Sequence, residues 1–311
     1  MANPAKNLAL MFLLLCCAAS AAAIASSSDS APTTLAVRTL RGYLMIVNVS
    51  INDHGPFDFL VDTGSNTTLI DPALATELSL KLKDKLQLAS YAAATEVPRY
   101  FLPSFKVGPA TLSNLETLAV ALPQLTALDS SIRGVLGMNF LLHFSFRLDY
   151  ERQTLELYPS PETAHVPAGL RVPVEINQSR LLVTVLSAAS PSGSWKLALD
   201  SGISEFLVFR DRIILPAVDQ CGQDSCLVEV STNLAGHSAS SVLLNDVSIA
   251  DARLPGMEVV VLRNDLQKTS DPQDGLLPAA PFHSVFFDRM HAAIILSPSP
   301  GSLSVAALPR R

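Results

Sequence analysis

Short apolar runs separated by turn residues recur along the chain. "YLMIVNVSI", "FDFLV", "TLELYP", "LLVTVLS", "KLALD", "MEVVVL" and "AAIIL" are five to nine residues long and rich in Val, Ile, Leu and Phe. That length and composition predicts strands, so the chain reads as mostly β. The best helical spacing lies in "DPALATELSLKL", where Asp71 can cap, Pro72 suits the first turn and leucines follow. A second short helix is expected after Gly137, in "MNFLLHF", and the proline-containing "YPSPETAHVPAG" reads as a linker.

One run raises a chemical question. "FLVDTGSNTTLI" (Phe59 to Ile70) ends an apolar strand on Asp62, and a carboxylate removed from water is costly without a partner. An internal repeat supplies one. "LALDSGISEFLV" (Leu197 to Val208) aligns with it without a gap, placing Asp62 on Asp200, Thr63 on Ser201 and Gly64 on Gly202 at an offset of 138. Two further blocks follow in the same order. "RGVLGMNFLLHF" lies over "DGLLPAAPFHSV", with Gly134 on Gly275 at an offset of 141. "LDYERQTLELYPS" lies over "FDRMHAAIILSPS", with Asp149 on Asp288 at 139. The chain is therefore two copies of one unit.

A duplicated unit can bring equivalent loops face to face across a pseudo-two-fold axis. Asp62 and Asp200 would then meet and hold one proton between them, because two carboxylates in contact cannot both ionise cheaply. The ionised member can take a proton from water while the protonated member donates to a carbonyl. Gly64 and Gly202 would allow a sharp turn and close amide approach. The Thr63 and Ser201 hydroxyls could bond across to the opposite loop.

The Asp-Thr-Gly-Ser of "GPFDFLVDTGS", with "RGVLGMNFL" and "FRLDYERQTLELYP", resembles the bacterial retropepsin-like aspartyl proteases. The pairing of Asp-Thr-Gly with Asp-Ser-Gly in one chain resembles their two-lobed, pepsin-like relatives. The similarity runs from about residue 35 to 299. It implies two homologous β-rich lobes, over residues 35–160 and 169–300, with a central cleft holding a peptide or protein substrate. It further implies an endopeptidase with Asp62 and Asp200 as the catalytic pair, an inter-lobe grip by Thr63 and Ser201, and a Ser65 hydrogen bond to Asp62. Neither cofactor nor metal is implied, and a monomer is expected. Three positions depart from the family pattern. No glycine lies between Gly64 and Gly108, where a flap is expected in "LASYAAATEV", leaving Tyr91 as a flap aromatic; the second repeat offers Gly236 in "TNLAGHSAS". Leu276-Leu277-Pro278 stands where a hydrophobic-hydrophobic-Gly is expected, and Ile203 follows the second Asp-Ser-Gly. A two-lobed relative that binds peptide without cleaving it is the alternative.

Among 311 residues, 49% are hydrophobic and 16% charged, with a net charge of −6 and no basic block. Disorder and nucleic-acid binding are thereby disfavoured. Lys6 precedes "LALMFLLLCCAASAAAIA", and Ala23 and Ala25 offer a cleavage site before Ser26. Residues 1–25 are expected to be a signal peptide directing secretion or periplasmic export, with no stable membrane insertion after cleavage. Cys221 and Cys226, in "CGQDSC", then suit a small disulfide loop. The six histidines show no metal-binding spacing. A remote alternative is a serine hydrolase using Ser238, since "GHSAS" falls one residue short of a nucleophile elbow.

Overall fold

The computed structural model describes residues 13–14, 23–24, 32–90, 94–160, 164–214, 232–234, 237–254, 256–262 and 272–298. The fold is mostly β, and each apolar run named above lies in a strand to within one residue at its ends. In the first lobe, Ile132–Leu136 lies parallel to His54–Val61 and antiparallel to Thr68–Ile70, which runs parallel to Leu115–Ala119. The second lobe repeats this weave. Gly275–Pro278 lies parallel to Ser194–Asp200 and antiparallel to Phe206–Phe209, which runs parallel to Met257–Leu262.

The registers coincide residue by residue. Val135 faces Leu60 and Leu69, while Leu276 faces Ala198 and Leu207. Gly134 and Gly275 occupy the same place, and the reason is the same in both lobes. A Cβ on Gly134 would overlap the Leu69 carbonyl oxygen, and one on Gly275 the Leu207 carbonyl oxygen. The weave brings two strands together more closely than any side chain allows.

A six-stranded antiparallel sheet joins the lobes. Its order is Thr33–Ala36, Thr154–Tyr158, Ser145–Asp149, Phe282–Asp288, Ala293–Pro298 and Leu170–Asn177. At its centre Arg147 pairs with Phe286, its own counterpart in the repeat, flanked by Phe146 with Phe287 and Leu148 with Val285. This register places the pseudo-two-fold axis between Arg147 and Phe286. The main apolar core is continuous through both lobes and above this sheet. Within it Phe59, Phe105, Phe140 and Phe144 form a chain of ring contacts, and Phe146 meets Phe287 across the axis.

The helix expected in "DPALATELSLKL" is shorter than its leucine pattern suggests. It spans Pro72–Glu77, with the Asp71 carboxylate accepting from the Ala73 N–H at 2.7 Å. Ser79 then turns into the left-handed region at φ +49°. Leu78 and Leu80 both pack on the core, whereas residues two apart on a continuous helix face nearly opposite ways. Leu82 is left 49% exposed. The helix in "MNFLLHF" covers Met138–Leu141.

Because the twin glycines are enforced by backbone, their substitution is not relieved by side-chain movement. Gly134→Ala and Gly275→Ala are each expected to destabilise by about 2–3 kcal/mol. Denaturant unfolding midpoints check this, and a change at only one of the two positions would break the claimed equivalence.

Candidate active site

The strand His54–Val61 runs directly into Asp62, and Ser194–Asp200 ends on Asp200. The last residues of each, Phe59 to Val61 and Leu197 to Leu199, are fully buried. Burial on both faces explains why these runs do not alternate with polar residues. The two loops meet between the lobes.

Thr63 and Ser201 interlock there. The Thr63 hydroxyl donates to the Leu199 carbonyl at 2.9 Å and accepts from the Ser201 N–H at 3.0 Å. The Ser201 hydroxyl donates to the Val61 carbonyl at 2.9 Å and accepts from the Thr63 N–H at 3.0 Å. Four buried backbone groups at the lobe boundary are thereby satisfied by two hydroxyls.

Above this grip the two carboxyl groups hydrogen-bond to each other. Gly64 and Gly202 make the approach possible. A Cβ on Gly64 would overlap the Asp200 carboxyl, and one on Gly202 would lie 3.2 Å from Asp62 Cγ. Each glycine thus faces the aspartate of the opposite lobe. The Gly64 and Ser65 N–H groups donate to Asp62 Oδ1 at 2.8 and 3.2 Å, and the Gly202 N–H donates to Asp200 Oδ1 at 2.7 Å. Ser65 therefore reaches Asp62 through its amide, while its hydroxyl donates to the Thr67 carbonyl at 2.8 Å.

The pair is unequal. Asp200 is 1% exposed, and no N–H or O–H of the described residues reaches its Oδ2. Burial, followed by the Asp62 charge, holds its proton well above the ordinary carboxylate range. Burial also raises Asp62, but the Gly64 N–H, the Asp200 carboxyl and the Ser65 N–H pull it back. A carboxyl–carboxyl hydrogen bond needs one proton, and these unequal surroundings favour Asp200 over Asp62 as its holder.

A family model described as aspartyl protease matches residues 47–140. That match lies within the first lobe and includes Asp62 and Gly137. A solved retropepsin-like aspartic protease from Rickettsia conorii is 22% identical, with the alignment covering 41% of this chain and 89% of that one at a TM-score of 0.31. No curated protein matches.

The departures from the aspartyl protease pattern look different once the lobes are superposed by register. Gly137 N–H donates to Thr68 Oγ1 at 3.2 Å in the first lobe. Pro278 stands in place of Gly137 and Phe206 in place of Thr68, so donor and acceptor have vanished together. Proline there leaves no unpaired hydroxyl. Two hairpins also stand where flaps are expected. Asp84–Ser90 pairs with Ala94–Leu102, and Thr232–Leu234 pairs with His237–Leu244. Tyr91, Gly236, Cys221 and Cys226 lie outside the described residues, as does most of residues 1–25.

The elbow reading of Ser238 is corrected. Ser238 lies inside the strand His237–Leu244, paired with Asn233, and another strand, Val247–Ile249, follows. A nucleophile elbow requires a strand-to-helix turn. His283 and His291 are instead paired with Glu151 at 3.3 Å and Asp288 at 2.7 Å.

Two tyrosines near the carboxyls carried no sequence signal. The Tyr43 ring packs on the first lobe's smaller core and its hydroxyl bonds Ser204 of the second lobe; burial, then the charges of Glu205 and Asp200, raises its proton affinity. The Tyr150 hydroxyl is buried and has no hydrogen-bond partner among the described residues, and burial, then the Asp200 and Asp62 charges, keeps it neutral.

Two outcomes follow for stability. Thr63→Val and Ser201→Ala each leave a buried N–H and a buried carbonyl unpaired, and are expected to destabilise by about 2–4 kcal/mol in thermal or denaturant melts. The raised Asp200 carboxyl binds its proton more tightly folded than unfolded. Its contribution is thus full below the unfolded carboxylate value and is lost as pH rises through the folded one. Asp200→Asn is expected to melt higher than wild type near neutrality, with the gap closing in acid. A gap that widens in acid would contradict the assignment.

Proposed function

We propose that the chain is an aspartic endopeptidase that hydrolyses peptide bonds with water held between Asp62 and Asp200. The observation that carries this reading is the pair itself: two mutually bonded carboxyls, Asp200 buried and Asp62 half-buried, with unequal backbone donors. Asp62, the ionised member, takes a proton from water as the water oxygen bonds to the scissile carbonyl carbon. Asp200 gives its proton to the carbonyl oxygen, producing a tetrahedral diol. The amide nitrogen then accepts the proton held by Asp62 and leaves as amine. A hydroxyl of the diol returns its proton to Asp200 as the carboxylic acid forms. The starting proton count is restored without a cofactor.

The substrate is an extended peptide lying across the cleft under the two hairpins. The apolar leader supports export to a secreted or periplasmic location, with a monomer acting there.

The test is digestion of a mixed peptide library by the chain from about residue 26, across acid to neutral pH, beside Asp62→Asn and Asp200→Asn. Cleavage strongest in acid and lost in both variants is expected, with rates down by about 10³-fold or more. A folded wild-type protein silent at every pH would overturn the peptidase reading in favour of a peptide-binding relative.

A further inference from the structure

The loops carrying the two aspartates are buttressed by opposite chemistry. In the first lobe Asn139 Oδ1 accepts from both the Thr68 N–H, at 2.8 Å, and the Thr68 hydroxyl, at 2.7 Å. Its Nδ2 donates to the Glu116 carbonyl at 2.7 Å. The Thr117 hydroxyl donates to the Thr68 carbonyl at 2.8 Å, and the Met138 N–H donates to the Ser65 carbonyl at 2.8 Å. Residues 65–68 are thus bonded from behind at Ser65 and Thr68.

By register and offset, the second lobe has Phe206 for Thr68, Val259 for Thr117, Ala280 for Asn139 and Ile203 for Ser65. Every polar member has become apolar. Phe206, Val259 and Ile203 are buried, and Phe206 packs edge-on to Trp195. Both lobes fill the space behind the loop, but only the polar version fixes the loop's backbone by direction. The result is visible at the carboxyls. Asp62 receives N–H groups from Gly64 and Ser65, whereas among the described residues Asp200 receives one, from Gly202.

We propose that Asn139 is a positioning residue that makes Asp62 the ionised member of the pair, by holding the Ser65 N–H on its carboxylate through Thr68. The proposal rests on the peptidase reading above. Asn139 sits behind the loop and touches no substrate, so its loss acts on the proton affinity of Asp62. With residues 65–68 released, the Ser65 N–H drifts from the carboxylate, Asp62 holds a proton to higher pH, and the acidic limb of activity moves up.

The test compares wild type, Asn139→Ala and Asn139→Asp as full mature chains. Asn139→Ala is expected to lower kcat about tenfold with KM unchanged, and to raise the acidic limb by about half a pH unit or more. Asn139→Asp keeps both acceptor contacts to Thr68 but loses the donor to the Glu116 carbonyl, and is expected to recover part of the rate. A Thr68→Val/Asn139→Leu protein imitates the apolar second lobe. It is expected to fold and to show the same limb shift if Asn139→Ala does not fold. An unmoved limb with reduced kcat, or a change in KM alone, would overturn the proposal. Amide exchange at Ser65 and Thr68 separates this from the peptidase reading. Faster exchange in the variant supports positioning even in a chain without activity, and unchanged exchange overturns it.

Discussion

Everything at the site depends on one exchange of hydrogen bonds across the pseudo-two-fold axis, that between Thr63 and Ser201. Each hydroxyl must donate and accept at once, and each does so on the backbone of the opposite lobe. The other end of the axis is fixed by the strand pair in which Arg147 faces Phe286. Between these two points the lobes have no freedom to slide, because either movement would unpair buried backbone groups. The carboxyl groups are therefore brought within hydrogen-bonding distance by the frame, against their mutual repulsion.

Symmetry creates the pair and asymmetry gives it a direction. A perfectly repeated site would hold its proton on either carboxyl equally. Here Asp62 keeps partial exposure and two N–H donors, while Asp200 is buried with one. The proton affinity of Asp200 is raised by burial and by its neighbour's charge. The same divergence explains Pro278. It has the look of a defect when compared with Gly137, yet its partner position changed with it, and no buried hydroxyl is stranded. The second lobe holds an apolar scaffold where the first holds a polar one, and the register of the weave is the same in both.

Much of this was legible along the chain. The apolar runs mark the strands because parallel, doubly covered strands do not alternate. The repeat identifies Asp62 with Asp200, Thr63 with Ser201 and Gly134 with Gly275, and in both members of the last pair a side chain would meet the backbone of the neighbouring strand. What was not legible depends on distance. Thr68 and Asn139 are 71 residues apart, and neither type nor spacing signals that they meet. The helix after Asp71 was overestimated because leucines that pack on the core from an irregular turn mimic helical spacing. Tyr43 crosses to the second lobe from a hairpin turn, a contact that no local pattern encodes.

The central claim is that the two carboxyl groups share one proton, held on Asp200. The most direct measurement is a carbon-13 NMR titration of the two carboxyl groups, assigned with Asp62→Asn and Asp200→Asn. A shared proton predicts two well-separated steps, the upper one far above an ordinary carboxylate and abolished by removing either partner's charge. Two independent titrations near the ordinary carboxylate value, each indifferent to the other substitution, would contradict it.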